Sequence, residues 1–279
     1  MAYNLGWGSN HPGCLVYLID MSGSMSQNSR MEYVTETVKE VSEYLVSMCE
    51  KGGTLLNRFH IKIFGYNTDV FKLFDGSVVD LDAKLEEAYV KNVSLFDTFD
   101  NKDKVKPQWQ TYTAKAFRKV AEETKEWVKR QQNNQIPVPA PIIIHVTDGH
   151  PEEKERVEAL AISDALSAAQ DIKSIAVPDG NALLFNIHIT DIAGKTLRFP
   201  SVSPNGNDKD AARLRFLFDA SSEMTDMFVA RANAFKLNAQ SRSRFMVSNE
   251  HDRNILAKLI AFGSSVTSVG GEFVELPKY

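Results

Sequence analysis

The chain has 279 residues, 43% of them hydrophobic, which is ample apolar material for one large α/β core. Its 32 Lys and Arg against 36 Asp and Glu leave a formal net charge of -4, which argues against bulk attraction to nucleic acid or an anionic membrane. Cys14 and Cys49, the two cysteines, make neither a disulfide framework nor a zinc pattern, and no apolar run approaches the ~20 residues of a membrane span. The first residues lack a basic segment followed by an apolar core, so no secretory signal is expected and the cytoplasm is the expected compartment.

Residues 1–13 read as an irregular lead-in. Cys14 to Ile19 then run without a charge and stop at Asp20, the pattern of a strand buried on both faces. Ser22 and Ser24 follow, with Gly23 letting the backbone turn between them. A helix is expected from Arg30 to Met48, because Met31, Val34, Val38, Val41, Leu45 and Met48 recur by threes and fours. Gly52 and Gly53 stop it. Phe59–Phe64 and Val70–Phe74 flank turn residues and predict a hairpin, its second strand the antiparallel edge of an otherwise parallel sheet. A short helix is expected at Leu81–Val90, then a polar loop from Asn92 to Gln110. Asp97, Asp100 and Asp103 in that loop lack the glycine and terminal glutamate of a calcium-binding loop.

Thr111 opens the next helix, whose buried face is Phe117, Val120, Ala121, Thr124, Trp127 and Val128. A proline-rich breaker precedes a second buried strand from Ile142, which ends in Thr147-Asp148-Gly149. Glu152–Ile172 reads as a helix with Val157, Leu160, Ala161, Ala165, Ala168 and Ile172 inward. Ala182–Ile189 is a further strand and Asp191–Lys209 a polar excursion. Helices are expected at Asp210–Phe218, Ser222–Leu237 and Asp252–Phe262, a short strand at Arg244–Val247, and a loosely held tail from Gly263. Strands alternating with helices predict a mostly parallel sheet covered on both faces. With no compositional break, residues 1–279 are taken as a single domain with its core over about 10–262.

Asp20, Ser22 and Ser24 place one carboxylate and two hydroxyls at alternating positions, three hard oxygen donors that suit Mg²⁺, Mn²⁺ or Ca²⁺. Asp20-x-Ser22-x-Ser24 after a buried strand resembles the first segment of the metal-ion-dependent adhesion site of von Willebrand factor A domains. That family also draws a threonine from a loop opening a later helix and an aspartate from the end of its fourth strand. Thr111 and Asp148 stand in those places, although Thr113 is a second candidate for the threonine. The resemblance implies a Rossmann-like, three-layer α/β/α fold with a six-stranded sheet in the order 3-2-1-4-5-6 and one antiparallel edge strand. It further implies that Asp20, Ser22, Ser24, Thr111 and Asp148 hold one divalent ion. One coordination position would be left for a Glu or Asp of a protein partner.

Each residue also has an ordinary role open to it. Asp20 and the threonines suit helix or loop caps, and Ser22, Ser24 and Ser26 suit turns. His60, His145 and His188 lie within strand patterns and are assigned nothing. An enzyme reading is weaker. A haloacid-dehalogenase-like phosphatase requires a second Asp where Ser22 stands, and neither a hydrolase elbow nor a nucleotide-binding glycine motif occurs. The expectation is a non-enzymatic, metal-dependent protein-binding module of the intracellular bacterial type, with a metal-dependent hydrolase or phosphatase as the alternative. By analogy alone, such proteins accompany stress-resistance operons, AAA+ ATPases or phosphatase and kinase partners.

Overall fold

The computed structural model describes residues 3–152, 157–189, 196–206, 209–234 and 236–250, together with Leu259 and Phe262. Its central strand, β1 (Gly13–Asp20), is buried at all eight positions. Successive side chains point to opposite faces, so Leu15, Tyr17 and Ile19 enter one core and Cys14, Val16 and Leu18 the other. That double burial is why the segment carries no charge before its last residue.

Around β1 lie β2 (Phe59–Tyr66), β3 (Val70–Ser77), β4 (Ile142–Thr147), β5 (Leu183–His188), β6 (Leu197–Arg198) and β7 (Met246–Ser248), in the order β6-β7-β5-β4-β1-β2-β3. β1 runs parallel to β2 and β4, and β5 parallel to β4 and β7. β3 and β6 pair antiparallel with their neighbours. With β6 set aside, the strands follow the expected 3-2-1-4-5-6 order. The addition is β6, which gives the sheet a seventh strand and a second antiparallel edge. It lies inside the expected polar excursion, and two residues are too few to show an alternation.

The helices are α1 (Arg30–Cys49), α2 (Val78–Lys91), α3 (Thr113–Asn133), α4 (Glu158–Lys173), α5 (Lys209–Ala220) and α6 (Asp226–Ala234). Side chains of α1, α2 and α6 pack on one face of the sheet, and those of α3, α4 and α5 on the other. α2 begins earlier than its apolar pattern indicates, because Ser77 and Asp80 form a reciprocal cap there. All six predicted inward residues of α3 are buried. In α4, Ala161, Ala165, Ala168 and Ile172 are buried, but Val157 and Leu160 are 69% and 58% exposed. Val157 precedes the first turn, and Leu160 lies about 100° round the helix from the alanine seam at Ala161. The expected closing helix at 252–262 lies outside the described residues except Leu259 and Phe262, both helical and fully buried.

One polar chain threads the α3 side of the sheet. Tyr66 Oη lies 2.8 Å from His145 Nε2, His145 Nδ1 lies 2.7 Å from Asn186 Oδ1, and Asn186 Nδ2 donates to Ser221 Oγ at 2.9 Å. Because the Asn186 amide nitrogen is the donor to Ser221, its oxygen accepts from His145 Nδ1. His145 Nε2 is then the acceptor for the Tyr66 hydroxyl, the tautomer of a neutral ring.

Candidate metal centre

The site forms where two parallel strands end side by side, the usual place for ligands in an open α/β sheet. Ile19 pairs with Val146, so Asp20 and Thr147 are the next neighbours along the ladder and Asp148 lies one step beyond. Thr147 Oγ1 donates to Asp20 Oδ2 at 2.6 Å, and Ser22 N donates to Asp20 Oδ1 at 2.8 Å. Ser22 Oγ lies 3.2 Å from Ser24 Oγ, which donates to Asp148 Oδ1 at 2.7 Å. The other oxygen of Asp148, Oδ2, is held by the Arg30 guanidinium through Nη1.

Thr111 arrives from a loop tied to the ends of three strands. Gly23 N donates to Trp109 O at 2.9 Å, Gln108 N to Met21 O at 3.0 Å, Tyr112 N to Asn67 O at 3.0 Å, and Glu152 N to Thr111 O at 2.8 Å. Gly149 opens the space between its hydroxyl and Asp20. A Cβ at that glycine would lie 3.2 Å from Thr111 Oγ1 and 3.6 Å from Asp20 Oδ2. Thr113 turns elsewhere, its hydroxyl bonded to Tyr66. Neither threonine caps α3, whose N-cap is Tyr112 without a side-chain cap bond. The five residues singled out in the sequence therefore meet at one place, and Thr111 is the threonine that faces it.

Asp20, Ser22, Thr111 and Asp148 are buried, and Ser24 is half-buried. Burial, and after it the charge of Asp148, pushes the Asp20 carboxyl up to about 7 against the hydrogen bonds of Thr147 and Ser22. The donor set is two carboxylates and three hydroxyls, oxygen throughout, and it fits a hard divalent cation. Among the described residues no group of three or more His, Cys, Asp or Glu could hold a metal, so a centre here relies on hydroxyl ligands.

Ordinary roles coexist with this arrangement. Asp20 does hold a loop amide, Ser26 Oγ closes its own turn on Gly23 O at 2.7 Å, and Asp97 caps the turn that starts at Ser94. His145 is a satisfied core residue. The sequence reading missed Thr147, Arg30 and Gly149. Thr147 was within reach, since parallel register places it across from Asp20. Arg30 was not, because its contact depends on how α1 enters the fold.

By sequence, the chain matches no protein-family model and no curated protein. By structure it is similar to the vWF domain of the type V pili tip protein Mfa5 from Porphyromonas gingivalis, at 10% identity and a TM-score of 0.50, over 97% of this chain and 99% of that one. It is also similar to the manganese-loaded TRAP protein of Plasmodium vivax, at 16% identity and a TM-score of 0.50, over 92% of this chain and 75% of that one. A third likeness is to the open conformation of the pilus adhesin SpaC from Lactobacillus rhamnosus GG, at 12% identity and a TM-score of 0.50. It covers 91% of this chain and 30% of the adhesin. At such identities the likeness concerns the fold alone, and the fold is that of a von Willebrand factor A domain.

Proposed function

We propose that the chain is a divalent-metal-dependent protein-binding module, with Asp20, Ser22, Ser24, Thr111 and Asp148 as the metal ligands and Mg²⁺, or Mn²⁺ or Ca²⁺ in its place, as the ion. The observation that carries the reading is the convergence of those five oxygen-bearing side chains from three loops. The structural relative carrying manganese supports it through a shared fold. When bound, such an ion supplies an electrophilic centre that accepts a Glu or Asp carboxylate of a protein partner as a further ligand.

The chain's own residues position the donors. Thr147 orients Asp20, the Ser22 amide fixes its other oxygen, and Ser24 aligns Asp148. Trp109, 68% exposed and bonded through its carbonyl to Gly23, gives the rim an aromatic anchor of the kind that dominates protein interfaces. A binder is preferred to a hydrolase because the position where a phosphatase would need its acid/base carboxylate holds Ser22, whose hydroxyl cannot do that proton transfer. Both cysteines are free buried thiols, in keeping with an adaptor in the reducing cytoplasm.

The test is capture from native lysate by wild type and Ser22→Ala, in Mg²⁺ and in EDTA, alongside calorimetric titration with Mg²⁺ and Mn²⁺. Partners released by the chelator and lost in the variant are expected. Capture indifferent to both treatments, or turnover of phosphatase substrates abolished by Asp20→Ala, would overturn the reading.

A further inference from the structure

We propose that Arg30 is a tethered counter-cation of this centre and competes with the divalent ion for Asp148. The inference rests on the metal-binding reading above and adds a residue that regulates it. Both Asp148 oxygens are engaged, Oδ1 by Ser24 Oγ at 2.7 Å and Oδ2 by the Arg30 guanidinium. The Asp148 side chain is fully shielded from water while that of Arg30 keeps 13% exposure. With the guanidinium in place Asp148 is closed off from solvent, and the exposed part of Arg30 gives the guanidinium a path outward. The same Nη1 lies 3.3 Å from the carbonyl of Ser24, another residue of the ligand set.

The backbone aims this side chain. Asn28 and Ser29, immediately before Arg30, both adopt the left-handed conformation, with φ of 51° and 56°. Neither is glycine, and such conformations persist only where the surroundings enforce them. The kink starts α1 at Arg30 and directs its first side chain at the end of β4. Electrostatically, Arg30 cancels one of the two carboxylate charges that would otherwise draw in a divalent ion.

Removing that charge therefore tightens metal binding. Calorimetry with Mg²⁺ and Mn²⁺ on wild type, Arg30→Gln and Arg30→Lys tests this. The expected order of affinity is Gln, then Lys, then Arg, with Arg30→Gln tighter than wild type by tenfold or more, about 1.4 kcal/mol. Lysine falls between because its ammonium keeps the charge but is more strongly hydrated than a guanidinium and so leaves the carboxylate more readily. Thermal melts give a second readout. In EDTA Arg30→Gln melts below wild type, and in saturating Mg²⁺ its gain exceeds the wild-type gain. A purely structural arginine would lower both midpoints alike. Equal or weaker metal affinity in either folded variant overturns the proposal and leaves the metal centre standing. Absence of metal binding by wild type overturns both.

Discussion

Gly149→Ala separates the metal centre from the fold that carries it. The added methyl would stand 3.2 Å from Thr111 Oγ1 and 3.6 Å from Asp20 Oδ2, with no backbone atom among its nearest neighbours. Gly149 has no positive φ, so alanine fits the backbone, and the stiffer unfolded chain returns about 0.4–1 kcal/mol. That gain offsets the crowding of one hydroxyl, so the melting midpoint should stay within about 4 °C of wild type. Metal binding is less tolerant. Mg²⁺ demands near-ideal octahedral geometry at about 2.0–2.1 Å, and a methyl that moves Thr111 Oγ1 by a few tenths of an ångström spoils one ligand outright. The expected loss of Mg²⁺ affinity is tenfold or more, about 1.4 kcal/mol, by calorimetry on a variant shown to be folded by circular dichroism. A folded Gly149→Ala protein that binds Mg²⁺ as wild type does would show that the space between Thr111 and Asp20 is not where the ion is held.

Lys62, with a side chain only 1% exposed, bonds Asp75 Oδ2 at 3.1 Å and Glu123 Oε2 at 2.9 Å. Lys62→Met should cost about 3 kcal/mol, the low end for breaking a buried pair because Lys72 still reaches both carboxylates, and a urea titration that finds no loss refutes this. His145 governs a pH dependence: burial, against the Asn186 hydrogen bond, pushes its imidazole from 6.5 down to about 4. The unfolded chain then takes up a proton that the fold refuses, so its share of stability is full above about pH 6.5 and is lost as pH falls toward 4, about 3 kcal/mol in all. The Glu123 carboxylate is disfavoured by burial but held down at about 2 by Lys72 and Lys62, so its share is lost only below about pH 4.5. His188 is likewise held down at about 4, while Asp20, pushed up to about 7, gains stability as pH falls, so the difference between proteins isolates His145. From pH 7 to 5 the urea midpoint of His145→Gln should fall less than that of wild type, and equal slopes would refute the assignment.

Strand β1 and its loop were legible because burial on both faces leaves a continuous apolar run that only Asp20 can end. The helix faces of α1 and α3 were legible for the same reason, through their 3.6-residue period. β6 was not, since two residues carry no period. Leu160 misled because hydrophobicity alone does not say which side of a helix the alanine seam will take. Asp20, Ser22 and Ser24 stood out as oxygen donors following a buried strand, and Thr111 and Asp148 were picked out through the family resemblance. Their hydrogen-bond partners did not: Thr147 reads as one more strand residue, and Arg30 reads as the start of an amphipathic helix. What joins each of them to the site is parallel register in one case and a left-handed kink in the other, neither of which a linear pattern records.

Cys14, in the middle strand and enclosed on both faces, has its thiol pushed up to about 12 by burial. Reagents that alkylate thiolates reach it only when the whole sheet comes apart, whereas Cys49 at the last turn of α1 answers to fraying of that helix. The chain thus carries two internal clocks, one timing global opening and the other the loosening of a single helical end.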